Sequence, residues 1–153
     1  MTSLETEGQF VLQQLLIGFA LLAVTVLIHA GALSWLLWRS RRPRTAPETL
    51  LHDWIAFTFI AVTCVFAHLI EIMLWAAYYA WEGSFHSLHL AAYFSAVTYA
   101  TIGYGDVVPP LHMRLLASME GLTGILMCAW SGGFFFAIVT QVWERRHAGG
   151  RPH

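Results

Sequence analysis

The sequence predicts an all-α integral membrane protein with three spanning helices and one shorter helix between the second and the third. Three observations carry that expectation. Of 153 residues, 58% are hydrophobic and 11% are charged, and the mean hydropathy is +0.60, a balance that belongs to membrane proteins rather than to soluble domains. Three apolar runs, Phe10–Trp38, Trp54–Trp81 and Met113–Trp143, each exceed the about 20 residues that a helix needs to cross a bilayer. Between the last two lies a further apolar stretch, Leu88–Ala100, which is too short to cross.

Taken in order, residues 1–9 are short and acidic, with Glu5 and Glu7 and no basic residue. A secretory leader opens with positive charge, so none is expected here. Phe10–Trp38 is long enough to span with tilt. Arg39, Arg41, Arg42 and Arg44 follow it at once, and this excess of arginine puts the N-terminus outside and the linker 39–53 in the cytoplasm. Pro43 and Pro47 break that linker. Trp54–Trp81 then runs outward, with Trp54 at one interface and Tyr78, Tyr79 and Trp81 at the other, where amphipathic aromatics settle.

Residues 82–87 form the external turn, and Ser87 is the expected N-cap of the short helix 88–100. The C-terminal end of that helix points into the membrane, where its partial negative charge favours a cation. Met113–Trp143 returns inward, and Arg145, Arg146 and Arg151 follow it, with residues 147–153 as a cytoplasmic tail. Seven of the eight arginines then share the cytoplasmic side. The chain reads as one membrane domain without a soluble regulatory unit. A lone short chain without lysine points to a bacterial plasma membrane.

Composition excludes several classes. A net charge of −1 suits neither nucleic acid nor a polybasic surface. Cys64 and Cys128 fall inside apolar spans without ligand spacing, so both are expected to be buried fillers. No nucleophile–base pair, phosphate loop or ATP site is present, so neither catalysis nor a cofactor is expected.

The most informative stretch is Thr101-Ile102-Gly103-Tyr104-Gly105-Asp106. A dehydrated potassium ion needs a cage of oxygens in place of its water, and successive backbone carbonyls can supply one. Aiming them the same way requires alternating backbone conformations, some at positive φ, which glycine adopts cheaply. Gly103 and Gly105 stand two apart, as such an alternation requires. Ile102 and Tyr104 can then face away as packing struts, Thr101 can add its hydroxyl below the carbonyls, and Asp106 places an acid at the outer mouth, where it attracts cations. A glycine-rich turn between two apolar segments is the plain alternative.

In its setting, the string resembles the selectivity filter of the potassium-channel pore-loop family, whose filter has Val where this chain has Ile102. Residues 54–146 resemble that family's two-helix pore unit, with outer helix 54–81, pore helix 88–100, filter 101–106 and inner helix 113–143. The resemblance implies a homotetramer in the lipid membrane that conducts K+ passively, with K+ held at Thr101, Ile102, Gly103 and Tyr104 as permeant ligand. It implies no voltage sensor, since Phe10–Leu37 carries no Asp, Glu, Lys or Arg, and the first span has no counterpart in the two-helix unit. Gly124 matches the position of the family's inner-helix hinge, although Gly121, Gly124, Gly132 and Gly133 equally permit close helix packing. Gly132, Phe136 and Thr140 share one helix face, and four copies of Phe136 would form a hydrophobic gate. Phenylalanines 134–136 facing lipid are the alternative.

Ionisable groups inside a membrane are costly and mark function. His68 and Glu71 are three apart on the second span and share a face. Glu71 lies about 15 Å below Trp81 and Glu120 about 10 Å below Met113, which places both acids at similar depth behind the filter. Three readings are open. The cluster is structural, with His68 and Glu71 satisfying one another or Glu120 bracing the filter amides in place of the acid that relatives carry where this chain has Val97. Or it titrates as a proton sensor, or one His and two carboxylates bind a metal. His29, alone on the first span, reads as a core histidine, and His86 and His89 as solvated. Beyond a potassium channel, the sequence leaves open a less selective cation channel, an intramembrane metal-binding enzyme and a non-conducting accessory subunit.

Overall fold

The structure, a computed structural model, describes residues 3–40 and 50–148. Most of the linker, with Arg41, Arg42, Pro43, Arg44 and Pro47, and the tail with Arg151 lie outside the described residues, as do the side chains of Arg145 and Arg146. Every regular element among the described residues is helical: α1 (Ser3–Ser40), α2 (Leu50–Trp81), α3 (Leu88–Tyr99), a 3-10 turn (Leu111–Met113) and α4 (Arg114–Ala148). Three of these helices are long and apolar enough to cross a membrane. All three outrun their apolar stretches, because helical hydrogen bonding continues into polar flanks that hydropathy does not mark. Glu5 in the first turn of α1 and Asp53 in that of α2 suit the partial positive charge of a helix N-terminus.

The connections follow from local chemistry. Helix α2 stops at Gly83, whose φ of 70° lets the chain turn away. The amides of Glu82, Gly83 and Ser84 cap the carbonyls of Tyr78, Ala80 and Tyr79 at 3.0, 3.2 and 3.0 Å. Ser87 then opens α3, its hydroxyl accepting from the Leu90 amide at 3.2 Å. Pro109 and Pro110 precede the 3-10 turn, which closes with the Met113 amide on the Pro110 carbonyl at 2.8 Å.

Helix α1 packs against α2 and α4 of its own chain. Its buried residues, Gln14, Gly18, Thr25, His29, Leu33 and Leu36, recur every three or four positions or multiples of that step, forming one stripe. The stripe collects polar residues, as expected where the opposite face meets lipid. Near its middle, Trp75 donates its indole N–H to the Thr25 hydroxyl at 3.1 Å, both side chains being fully buried.

The interior is layered. Near the α2–α3 turn, Trp75, Ala76, Tyr79, Ala91, Phe94, Met113, Leu116 and Ala117 form one apolar cluster. Toward the other end, Leu33, Leu36, Ile60 and Cys64 form a second, with Phe134, Phe135 and Ile138 against it. Between the two lies a polar layer of His29, His68, Glu71, Tyr99 and Ser131. Cys64 is buried as expected, but Cys128 is exposed.

Candidate functional site

Residues 101–106 leave the end of α3 without regular structure. Positive φ recurs at every second position: 58° at Thr101, 57° at Gly103 and 76° at Gly105. Glycine takes that conformation freely, whereas a non-glycine residue there costs about 1–2 kcal/mol. Thr101 bears that strain because hydrogen bonds fix the chain on both sides of it. Its own amide donates to the Thr98 carbonyl at 2.9 Å, and the Ile102 and Gly103 amides both reach the Val97 carbonyl, at 2.9 and 3.3 Å. Val97, which stands where the resemblance implies an acid in relatives, therefore ties down the segment through its backbone carbonyl.

The far end of the segment is held by a residue not singled out from sequence. Tyr93 donates its hydroxyl to Asp106 Oδ2 at 2.6 Å, and the Val107 amide donates to Oδ1 at 3.0 Å. The Tyr93 hydroxyl holds the Asp106 carboxyl below the usual carboxylate range, reinforced by the backbone amides of Asp106 and Val107. Tyr93 precedes Asp106 by thirteen residues, a spacing that carries no signal until the chain folds back on α3.

The two membrane-embedded acids do not share a site. Glu120 accepts from the Tyr79 hydroxyl at 2.9 Å and from the Ser95 hydroxyl, and Ser95 also reaches the Ile72 carbonyl at 2.9 Å. The two acids have separate hydrogen-bond partners, although Ser95 links Glu120 to the carbonyl of Ile72, the neighbour of Glu71 in the chain. Among the described residues the partners of Glu120 are these hydroxyls and not the amides of 101–106, and through them it holds α3 against α2 and α4.

Glu71 instead gathers all four helices. Its carboxylate lies 2.9 Å from His29 Nδ1 and 3.3 Å from His68 Nδ1, and it accepts from the Tyr99 hydroxyl. The Tyr99 oxygen also lies 3.2 Å from His68 Nδ1. Ser131 Oγ stands 3.1 Å from the Nε2 of each histidine. Glu71 and His29 are fully buried. His29, expected to be a lone core histidine, is thus part of the same cluster as His68 and Glu71. Gln14, Gly18 and Thr25 on the same face of α1 were the available signal, since a polar stripe on a membrane helix must face protein. Tyr99 also went unmarked, though a buried tyrosine hydroxyl requires a partner.

Tyr99 is pinned from behind as well. A Cβ on Gly124 would overlap the Tyr99 backbone, closest of all to its carbonyl oxygen, with the carbonyl carbon at 2.7 Å and Cα at 3.0 Å. Helix α4 runs unbroken through Gly124, and this glycine is where it presses on the end of α3. Lower on α4, Phe134 and Phe135 pack inward while Phe136 and Gly132 face out.

A family model described as an ion channel matches residues 53–141. The chain belongs to this family, that of the two-transmembrane potassium-channel pore. The match takes in α2, α3, the 101–106 segment and most of α4, and it leaves out α1. Neither a curated protein nor a solved structure matches the chain significantly. The protein is a multi-pass membrane protein and an ion channel.

Proposed function

We propose that the chain is the subunit of a homotetrameric, potassium-selective channel that conducts K+ passively across the plasma membrane. The observation that carries this reading is the recurrence of positive φ at Thr101, Gly103 and Gly105. Such an alternation turns the carbonyls of Thr101, Ile102, Gly103 and Tyr104 toward one side, and four copies around an axis replace the hydration shell of the ion. Ile102 and Tyr104 are 52% and 69% exposed in the single chain, which supports neighbouring subunits as the surface they pack against. The C-terminal end of α3 adds its partial negative charge beneath the cage, and Asp106 gathers cations at the mouth. The N-terminus is outside and the arginine-rich linker is cytoplasmic. Phe136, turned away from its own chain, is the gate residue. K+ is cargo, no cofactor takes part and no bond is made or broken.

Potassium and sodium flux into liposomes holding the purified full chain tests this. K+ flux well above Na+ flux in the wild type, lost in Gly103→Ala, is the expected outcome. Equal Na+ flux would remove the selectivity, and absence of any flux would make the chain an accessory subunit.

A further inference from the structure

The cluster around Glu71 contains more acceptors than its ordinary protons can serve. Five contacts close a ring: Glu71 to Tyr99, Tyr99 to His68, His68 to Ser131, Ser131 to His29, and His29 to Glu71. Each contact joins two atoms with lone pairs and needs one proton between them. With Glu71 ionised and both imidazoles neutral, Tyr99, His68, Ser131 and His29 bring one shared proton each. Four protons serve five contacts. One contact is then lone pair against lone pair, inside a buried layer where unmet polar groups are costly. The cluster calls for one further positive species.

We propose that this species is a divalent transition metal of the zinc class, bound by His29 Nδ1, His68 Nδ1 and Glu71, with the Tyr99 oxygen in the fourth position. The ligand atoms of the two histidines and Glu71 all lie within 4.8 Å of one another. The separations of 2.9 Å from His29 Nδ1 to Glu71 Oε1 and 3.3 Å from His68 Nδ1 to Oε2 approach the about 3.3 Å between two ligands on one tetrahedral ion with bonds of about 2.0–2.1 Å. Two imidazoles and a carboxylate are the donor set that zinc accepts, without the thiolates that would select softer ions.

The outer shell fits as well. A histidine bound through one nitrogen donates its other N–H to a nearby acceptor. Here both Nε2 atoms face the same Ser131 oxygen, at 3.1 Å each, and a hydroxyl oxygen has two lone pairs to receive them. That arrangement turns both Nδ1 lone pairs toward Glu71, the orientation that an ion between them requires. Ionised to phenolate, with its proton released to water, Tyr99 would bring the site to zero net charge, which a buried site favours. Of the three, only His68 reaches the surface of the single chain, its side chain 16% exposed while those of Glu71 and His29 are closed off. The site requires α1, which the family match does not cover, and it would fix Tyr99 two residues before Thr101.

Metal binding is measured without flux, so its failure and that of the channel reading are separate. The full chain, purified and stripped with chelator, is dialysed against Zn2+ and assayed for metal, and Co2+ is added in parallel for its visible spectrum. The expected result is about one zinc per chain, with affinity reduced by about 10-fold or more in His29→Gln and Glu71→Gln and unchanged in the turn-segment variants His86→Gln and His89→Gln. Co2+ in the wild type should give the intense visible bands of a tetrahedral site. If the His29 and Glu71 variants do not fold, the wild-type zinc content and Co2+ spectrum decide. Absence of zinc from the wild type, an octahedral Co2+ spectrum, or binding that follows His86 or His89 would overturn the site and leave a stored proton as the positive species.

Discussion

Adding a single methyl group at Gly124 should test the close approach of α4 to the end of α3. In Gly124→Ala the new Cβ meets the Tyr99 carbonyl carbon at 2.7 Å, against an ordinary contact that begins at 3.4 Å. Backbone must therefore retreat by at least about 0.7 Å, and an overpacked contact of that kind costs about 1–3 kcal/mol. Both partners are backbone, so no side-chain rotation relieves the overlap, and the upper part of that range applies. Exchanging glycine for alanine within a helix offsets about 1 kcal/mol, leaving a net loss of about 2 kcal/mol by this estimate.

Gly121, one turn earlier, is the internal control. A Cβ there meets the Thr98 carbonyl oxygen at 3.5 Å, so Gly121→Ala keeps the helix gain of up to about 1 kcal/mol without the clash. The two variants should differ by about 3 kcal/mol, or about 6–12 °C in melting temperature for a chain of this size. Thermal unfolding in micelles, followed by near-ultraviolet circular dichroism, reads that difference. K+ over Na+ selectivity should fall in Gly124→Ala and persist in Gly121→Ala, because the displaced carbonyl belongs to the residue two before Thr101. Equal melting temperatures for the pair, with equal selectivity, would falsify the close approach of α4 to α3.

Two further outcomes are expected. Tyr93→Phe removes the hydroxyl that keeps the Asp106 carboxyl below its usual range, so Asp106 should take up its proton at a higher pH. The contribution of that bond is present above the unfolded carboxyl's pKa of about 3.9 and lost as pH falls through the lower folded value. The acid limb of ion flux should move upward in Tyr93→Phe, and an unchanged limb would remove the bond from the account. Thr25→Val keeps the shape of the α1 stripe but leaves the buried Trp75 N–H without its acceptor, which should cost about 1–3 kcal/mol. Melting equal to wild type would mean that α1 does not dock on α2 as described.

Much of this was legible because membrane chains are written under few constraints. Apolar runs longer than the bilayer must be helices, since lipid satisfies no backbone group. The spacing of Gly103 and Gly105 announced positive φ, because the missing Cβ is a property of the residue itself. The positive φ of Thr101 was not legible: threonine does not favour it, and only the bonds to Thr98 and Val97 impose it.

The side-chain clusters divide in the same way. That His68 and Glu71 share a face follows from their spacing along one helix. That His29 joins them, that Glu120 instead meets Tyr79 and Ser95, and that Tyr93 reaches Asp106 depend on how separate helices are offset and rotated against each other. Local periodicity states which way a residue faces, and the hydropathy of a span states that it crosses. Neither measures the axial register between helices, which comes from packing across the interface: Gly124 against Tyr99, Trp75 against Thr25, and α3 wedged between α2 and α4. The long apolar helices and the glycine alternation of residues 101–106 were therefore written in the chain itself, while the partners of its buried charges arose from contacts between segments far apart along it.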